Sequence, residues 1–378
     1  MSMQLQASLC VYSYAKARRD TNEASLLIQT AEYSPLKCYA KRKKADAKNS
    51  LFAPVFIVGF PRSGTTMLAV LLDRHPDIAV GPESHFFELI KHLHLPDRLT
   101  PPELDAWLAR ILAAPRMRDL ELSVDDVRLW LQPGSPVMPA NIFAAILQAY
   151  RAKRGKAIIA EKTPQHLLEL NTLLHWYPQS KAICMLRDGR DAVASMLQVP
   201  WRSHSSARLY ALQWIRYFKL IHAAQKNFPD RVLVMRYEDL ASQPQTQLQR
   251  IGLFMGVPFD PAQLDATWQS AAVPQWELAW KAAAEMAPDQ DRMGLWQTRL
   301  STGEKHIVNT TLHDSLRRAG YLTNGAALPP GVNCNWMLAR GFFRKVYLKT
   351  IQHSKTYRQR EEQCPRSDGS EAAVVNGK

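Results

Sequence analysis

Between Val55 and Pro76 the chain reads VFIVGFPRSGTTMLAVLLDRHP, with four residues between Gly59 and Gly64. That spacing belongs to loops that wrap a phosphate with successive backbone N–H groups. The short apolar run Val55–Val58 precedes the loop, and Met67, Leu68, Leu71 and Leu72 follow at helical spacing. The loop therefore opens a helix whose N-terminus adds its own attraction for an anion. In magnesium-dependent NTPases a lysine of such a loop reaches the β and γ phosphates. Here Thr65 holds that position, and the loop's own cation is Arg62. A second strand ending in a metal-binding aspartate is also missing. The nearest run, AICMLRD, puts Arg187 at the strand end and Asp188 beyond it. The residues point to an anion held without a metal. A P-loop kinase or NTPase is the alternative that magnesium-dependent activity would revive.

FIVGFPRSGTT resembles the 5′-phosphosulfate-binding loop of sulfotransferases. AICMLRDGRDAVASM resembles their 3′-phosphate-binding segment, a strand ending in arginine and a helix with a serine eight residues on, here Arg187 and Ser195. Arginine forks onto phosphate oxygens. Eight residues are a little over two helical turns, which keeps Ser195 on roughly the same face. GPESHFF, EKTPQHL, RYEDL and DRMGLWQTRLS followed by LRRAGY are similar to further family segments, so the likeness spans roughly 54–322. The family shares a P-loop-kinase-like α/β fold and uses 3′-phosphoadenosine-5′-phosphosulfate (PAPS) as co-substrate.

The resemblance implies roles residue by residue. Arg62, Ser63, Gly64, Thr65 and Thr66 would hold the 5′-phosphosulfate, and Arg187 and Ser195 the 3′-phosphate. Lys162, just after the second strand, matches the lysine that contacts the transferring sulfuryl group. A surface lysine paired with Glu161 is the simpler reading of it. Cytosolic small-molecule sulfotransferases carry a histidine two residues after that lysine, whereas here the position is Pro164. The tyrosylprotein branch uses a glutamate in a GxE segment, which falls on Glu83. A carboxylate in a dry pocket can be raised toward neutral pH and serve as base. His85 and His166 are the alternative bases. Tyr237, Arg292 and Trp296 stand where they would pack near or cover the nucleotide. Trp201, Trp214, Trp276 and Trp280 line the acceptor pocket or belong to the core. A nucleotide-binding protein that has lost catalysis is a further alternative, against which Lys162 and Glu83 argue.

These residues need a scaffold that brings five distant segments together. Strands are expected at Val55–Val58, Ala157–Ala160, Lys181–Leu186 and Arg231–Arg236. Helices are expected at 65–74, 188–197, 207–226 and 244–255, with a proline-punctuated helical insertion over 85–153. Strand, loop and helix in repetition imply an α/β fold: a parallel central sheet flanked by helices in three layers, with ligands at the carboxyl ends of its strands. The domain is expected over 54–330, between an N-terminal extension (1–53) and a basic tail (331–378).

Composition excludes several classes. Apolar residues make up 46% and charged residues 22%, as in soluble globular proteins. No apolar run approaches the roughly 20 residues that span a bilayer, and the first residues lack a good signal peptide, so a cytoplasmic chain is expected. Five scattered cysteines without a CxxC pair indicate neither a disulfide framework nor a zinc site. A net charge of +14 favours an anionic partner. Its excess gathers at Lys41–Lys48 and Arg340–Arg360. In the latter, Phe342, Phe343, Val346 and Leu348 interleave with the charges, a pattern suited to peripheral contact with anionic lipid. A nucleotide satisfies the charge without a nucleic-acid partner. The acceptor is expected to bear a hydroxyl; its class is not written in these motifs.

Overall fold

The structure, a computed structural model, describes residues 52–322 except 133, 135, 200–205, 268–269, 282–287 and 289. Both basic segments and most of the N-terminal extension lie outside the described residues. The described residues 52–251 and 259–322 belong to one compact unit, which carries the sheet and the residues at its strand ends; residues 252–258 group outside it.

Five parallel strands form one sheet in the order β2-β3-β1-β4-β5: β1 Val55–Gly59, β2 Ile78–Val80, β3 Ile158–Lys162, β4 Lys181–Leu186 and β5 Val232–Arg236. β1 lies in the middle and is buried along its whole length. VFIVG has no polar side chain to expose, as a strand covered on both faces requires. Register sets Phe56 beside Ala182 and Val58 beside Cys184. These alternate residues join one apolar cluster with Phe143 and Ile146 of helix α4 (Pro139–Lys153) and Trp214 of helix α5 (Ala207–Asn227). The intervening residues Ile57, Ile183 and Met185 are equally buried, and helix α1 (Thr65–Asp73) packs against β1, β2 and β3. Helices therefore cover both faces, as expected from the sequence.

Several elements have no counterpart among the sequence expectations, among them β2 and a helix at Thr302–Arg318. β2 is three residues long, too short to show an alternation, and its Val80 N–H is held by Asp73 Oδ1 at 2.9 Å. The helix α7 (Thr302–Arg318) has only Val308, Leu312 and Leu316 buried, so its apolar stripe is thin. Its one clear sequence signal is the capping box of Ser301 and Glu304. The insertion between β2 and β3 is helical as expected, with α2 (Phe86–Leu93), α3 (Pro101–Leu112) and α4 the longest of its helices. A bridge between Leu99 and Val137 closes its base.

β1 is the point where strand order reverses, with β3 on one side and β4 on the other. Loops leaving the carboxyl ends of neighbouring strands diverge there and leave a crevice. The chemically notable segments each follow a strand end: Phe60–Gly64 after β1, Gly81–His85 after β2, Lys162 at the end of β3, Arg187 after β4 and Tyr237 after β5. Among the described residues no helix is long and apolar enough to cross a membrane.

Candidate active site

The loop after β1 turns through two left-handed residues, Arg62 (φ 69°) and Gly64 (φ 89°). Gly64 is required twice over. A Cβ there would stand 2.5 Å from Tyr237 Cδ2, and its positive φ disfavours any other residue. α1 starts directly after it with no side-chain cap. Its first N–H groups therefore face the crevice unclaimed by the helix itself. Buried Ser63 Oγ has no hydrogen-bond partner among the described residues. Such an atom is costly unless a ligand satisfies it.

The segment after β4 meets the loop after β1. Arg62 Nε donates to Ser195 Oγ at 3.1 Å, joining motifs 133 residues apart. Arg187 donates to the Arg62 carbonyl at 3.2 Å and to the Arg292 carbonyl at 2.6 Å. Its guanidinium lies 4.3 Å over the Tyr237 ring, and its buried Nε has no partner among the described residues. Burial, then the neighbouring Arg187 and Arg292, lower the proton affinity of Arg62. Cations crowd together here. Arg62, Arg187, Arg292, Arg299 and Lys281 line the cleft against the carboxylates of Glu83 and Glu277.

The third component is a buried ion cluster. Glu83 Oε1 accepts from Lys162 Nζ and from Lys281 Nζ, both at 2.7 Å, and Glu83 Oε2 lies 3.0 Å from His85 Nε2. Lys281 also donates to Glu277 Oε2 at 2.6 Å, and Arg116 donates to Glu277 Oε1 at 2.7 Å. His85 Nδ1 reaches the half-exposed Glu88 at 3.0 Å. Burial works to raise Glu83, but Lys162, Lys281 and His85 outweigh it and hold the carboxyl well below the usual carboxylate range. This direction is opposite to the one expected from the sequence. Desolvation alone would raise a carboxyl, and the two ammonium groups at hydrogen-bond distance reverse that. Burial and the charge of Lys281 lower Lys162, against Glu83. Burial would lower His85, but its bonds to Glu83 and Glu88 raise it.

A model of the sulfotransferase family matches residues 54–261, more than half of the chain. The chain belongs to the sulfotransferase family. It is 28% identical over 216 residues to protein-tyrosine sulfotransferase 1 of Danio rerio, a match covering 56% of this chain. The chain spans about half the length of that relative, 55%. It is 24% identical over 354 residues to nodulation protein NoeE of Sinorhizobium fredii, covering 81% of this chain and 79% of that protein. The sulfotransferase domain from the curacin biosynthetic pathway has the same fold, with a TM-score of 0.51 at 18% identity. That likeness covers 73% of this chain and 100% of the domain.

Within this family member the expected residues fall into place unevenly. Arg62, Gly64, Thr65, Thr66, Glu83, Arg187, Ser195, Tyr237 and Arg292 line one cleft. Ser63, fully buried, and Lys162 do not line it. Lys162 is fully buried and committed to Glu83. It is not the surface lysine paired with Glu161 either, because strand alternation turns those two residues to opposite faces. Glu161 is instead bonded to Ser84, Thr163 and His166. The last of these bonds, 2.9 Å to His166 Nδ1, takes His166 out of the cleft. Trp214 is a core residue whose indole N–H donates to the Arg187 carbonyl, and Trp276 donates to Asp119. Neither lines the cleft. Trp296 does not cover it; Arg190 lies 4.5 Å over its ring. Trp201 and the Trp280 side chain lie outside the described residues.

Sequence reasoning misses Lys281, Glu277 and Arg299. WELAWK offers only a glutamate and a lysine at i, i+4, a spacing that ordinary surface helices use constantly. Among the described residues no group of three or more His, Cys, Asp or Glu side chains is placed to hold a metal ion.

Proposed function

We propose that this sulfotransferase moves the sulfuryl group of PAPS to an acceptor hydroxyl, with Glu83 as the base. The observation that carries it is the 3.1 Å contact between Arg62 and Ser195, which merges the two anion-binding motifs into one cationic cleft. The residues fit the donor. An unpartnered Arg187 Nε, five lining cations and an uncapped helix start suit a nucleotide with two separate anionic ends.

Bound there, the donor supplies a sulfuryl group whose S–O bond to adenosine 3′,5′-bisphosphate breaks as the acceptor oxygen bonds to sulfur. Arg62 and the N–H groups of residues 64–66 hold the phosphosulfate end. Arg187 and Ser195 hold the 3′-phosphate end. Glu83, kept ionised by Lys162 and Lys281, is a weak base and takes the acceptor proton only as the acceptor oxygen bonds to sulfur and that proton becomes acidic. Fixed cations and dipoles of this kind supply the electrostatic stabilisation that group transfer between anions needs, without a metal ion. The relatives named for protein tyrosine support a hydroxyl-bearing acceptor.

Calorimetric titration with adenosine 3′,5′-bisphosphate in EDTA, beside ATP with magnesium, tests the donor. Binding that needs the 3′-phosphate and no magnesium is expected. A preference for magnesium-ATP would return the site to the kinase or NTPase class.

A further inference from the structure

Lys281 stands outside the sequence motifs of the site, yet it is bonded to the centre of it. Its ammonium bridges Glu83 Oε1 at 2.7 Å and Glu277 Oε2 at 2.6 Å. Glu277 is in turn fixed from its other oxygen by Arg116, which stacks 4.4 Å over Trp276. All of these side chains except Trp276 are nearly or fully withdrawn from water. A chain of four charges, Arg116, Glu277, Lys281 and Glu83, thus runs from the helical insertion into the cleft. Glu83 has two lysine partners where the family resemblance supplies one.

We propose that Lys281 is a positioning residue for the Glu83 carboxylate, tethered by Glu277, and that this bridge governs how readily Glu83 takes up a proton. The inference rests on Glu83 being the base. The geometry explains the design. Lys162 fixes Glu83 from the sheet and Lys281 fixes the same oxygen from helix α6 (Leu278–Lys281). Oε2 is left to His85. The groups facing Glu83 are Lys162 on β3, Lys281 and Glu277 on the 275–281 segment, Arg62 on the loop after β1, and His85 with Glu88 at the start of α2. Of the two lysines, Lys281 is the one hydrogen-bonded to a second carboxylate. Removing Lys281 takes a cation from Glu83 and leaves Glu277 as an anion nearby. Removing the charge of Glu277 frees Lys281 to serve Glu83 alone. The two changes push Glu83 in opposite directions, which loss of packing would not do.

The test is a pH titration of side-chain carboxyl carbons by NMR, in protein labelled with 13Cδ-glutamate, with Glu83→Gln assigning the Glu83 signal. Lys281→Met should move the Glu83 midpoint up by about one unit or more, the scale of an adjacent opposite charge. Glu277→Gln should move it down, and Lys281→Arg should restore it toward wild type. Circular dichroism confirms that each variant is folded. If Lys281→Met fails to fold, the downward shift in Glu277→Gln and the near-wild-type midpoint in Lys281→Arg still decide the matter. An unchanged Glu83 midpoint in Lys281→Met, or same-direction shifts in Lys281→Met and Glu277→Gln, overturns the inference. Full turnover in Glu83→Gln would instead remove the base reading, a separate result obtained without the titration.

Discussion

Lys162 Nζ lies 2.7 Å from Glu83 Oε1, and Lys162 has no exposed surface at all. The last residue of β3 and the loop after β2 are thereby locked together at the strand ends. Removing one member of a buried pair leaves its partner uncompensated, which costs about 3–5 kcal/mol. Lys281 on the same oxygen softens that cost from the Glu83 side. Lys162→Met should therefore destabilise the fold by less than Glu83→Gln, which leaves two buried ammonium groups facing one another. The double variant should be more stable than the two losses summed. Denaturant titration of all four proteins measures this coupling. Simple additivity would mean that the pair is not a functional unit.

The same contacts imply opposed pH dependences. His85 binds its proton more tightly than the ordinary value of 6.5 because Glu83 and Glu88 flank it, against the cost of burial. Stability from that excess is complete below about pH 6.5 and fades as pH rises through the folded value. Glu83 contributes in the other sense: its share is present above the usual carboxylate range and is lost as pH falls through its depressed value. Melting temperatures of wild type from about pH 6 to 9 should decline on the histidine's account, and His85→Gln should flatten the slope. An equal slope in both proteins would place the titrating group elsewhere.

The parts of the fold that are legible in the sequence are those that physics writes locally. VFIVG and KAICML are runs that suit a doubly covered strand, and GFPRSGTT needs its glycine for a left-handed turn. Each strand end then leads to a residue of the site, because parallel sheets gather ligands there. What stays hidden is what tertiary structure alone creates. β2 is three residues long, pairs only with β3, and has its Val80 N–H held by Asp73 from the preceding helix. Lys281 meets Glu83 across 198 residues, and nothing in WELAWK marks that lysine as different from one in water. The direction of the Glu83 shift is illegible for the same reason: burial can be foreseen from an apolar setting, but the second ammonium cannot.

Gly64→Ala should be costly for two separable reasons. The added Cβ meets Tyr237 Cδ2 at 2.5 Å, and φ of 89° strains any L-residue. Together these are expected to cost about 1–3 kcal/mol of stability. Affinity for adenosine 3′,5′-bisphosphate should also fall, since Tyr237 supports Arg187. Gly155 offers the control, with φ of 63° and open space for 4 Å around the place a Cβ would take. Gly155→Ala should lose stability but keep the affinity. Equal affinity losses in both would show strain spreading through the fold rather than a local clash.

Arg187 is fixed by protein groups around it while one of its donors has no partner among the described residues. It donates to the carbonyls of Arg62 and Arg292, lies over Tyr237, and keeps Nε unpartnered among the described residues. An arginine so fixed loses little freedom when an anion arrives, and a lysine cannot reproduce its fork. Arg187→Ala should weaken binding of adenosine 3′,5′-bisphosphate by about 1.5–3 kcal/mol, the scale of a charge-assisted hydrogen bond. Arg187→Lys should recover only part of that. AMP, which lacks the 3′-phosphate, separates direct contact from indirect support. A direct contact predicts a large loss for the bisphosphate and a small one for AMP. Equal losses for both ligands would mean that Arg187 acts by holding the Arg62 carbonyl, and hence the shape of the loop after β1, and the 3′-phosphate would then have to be met by other groups of the cleft.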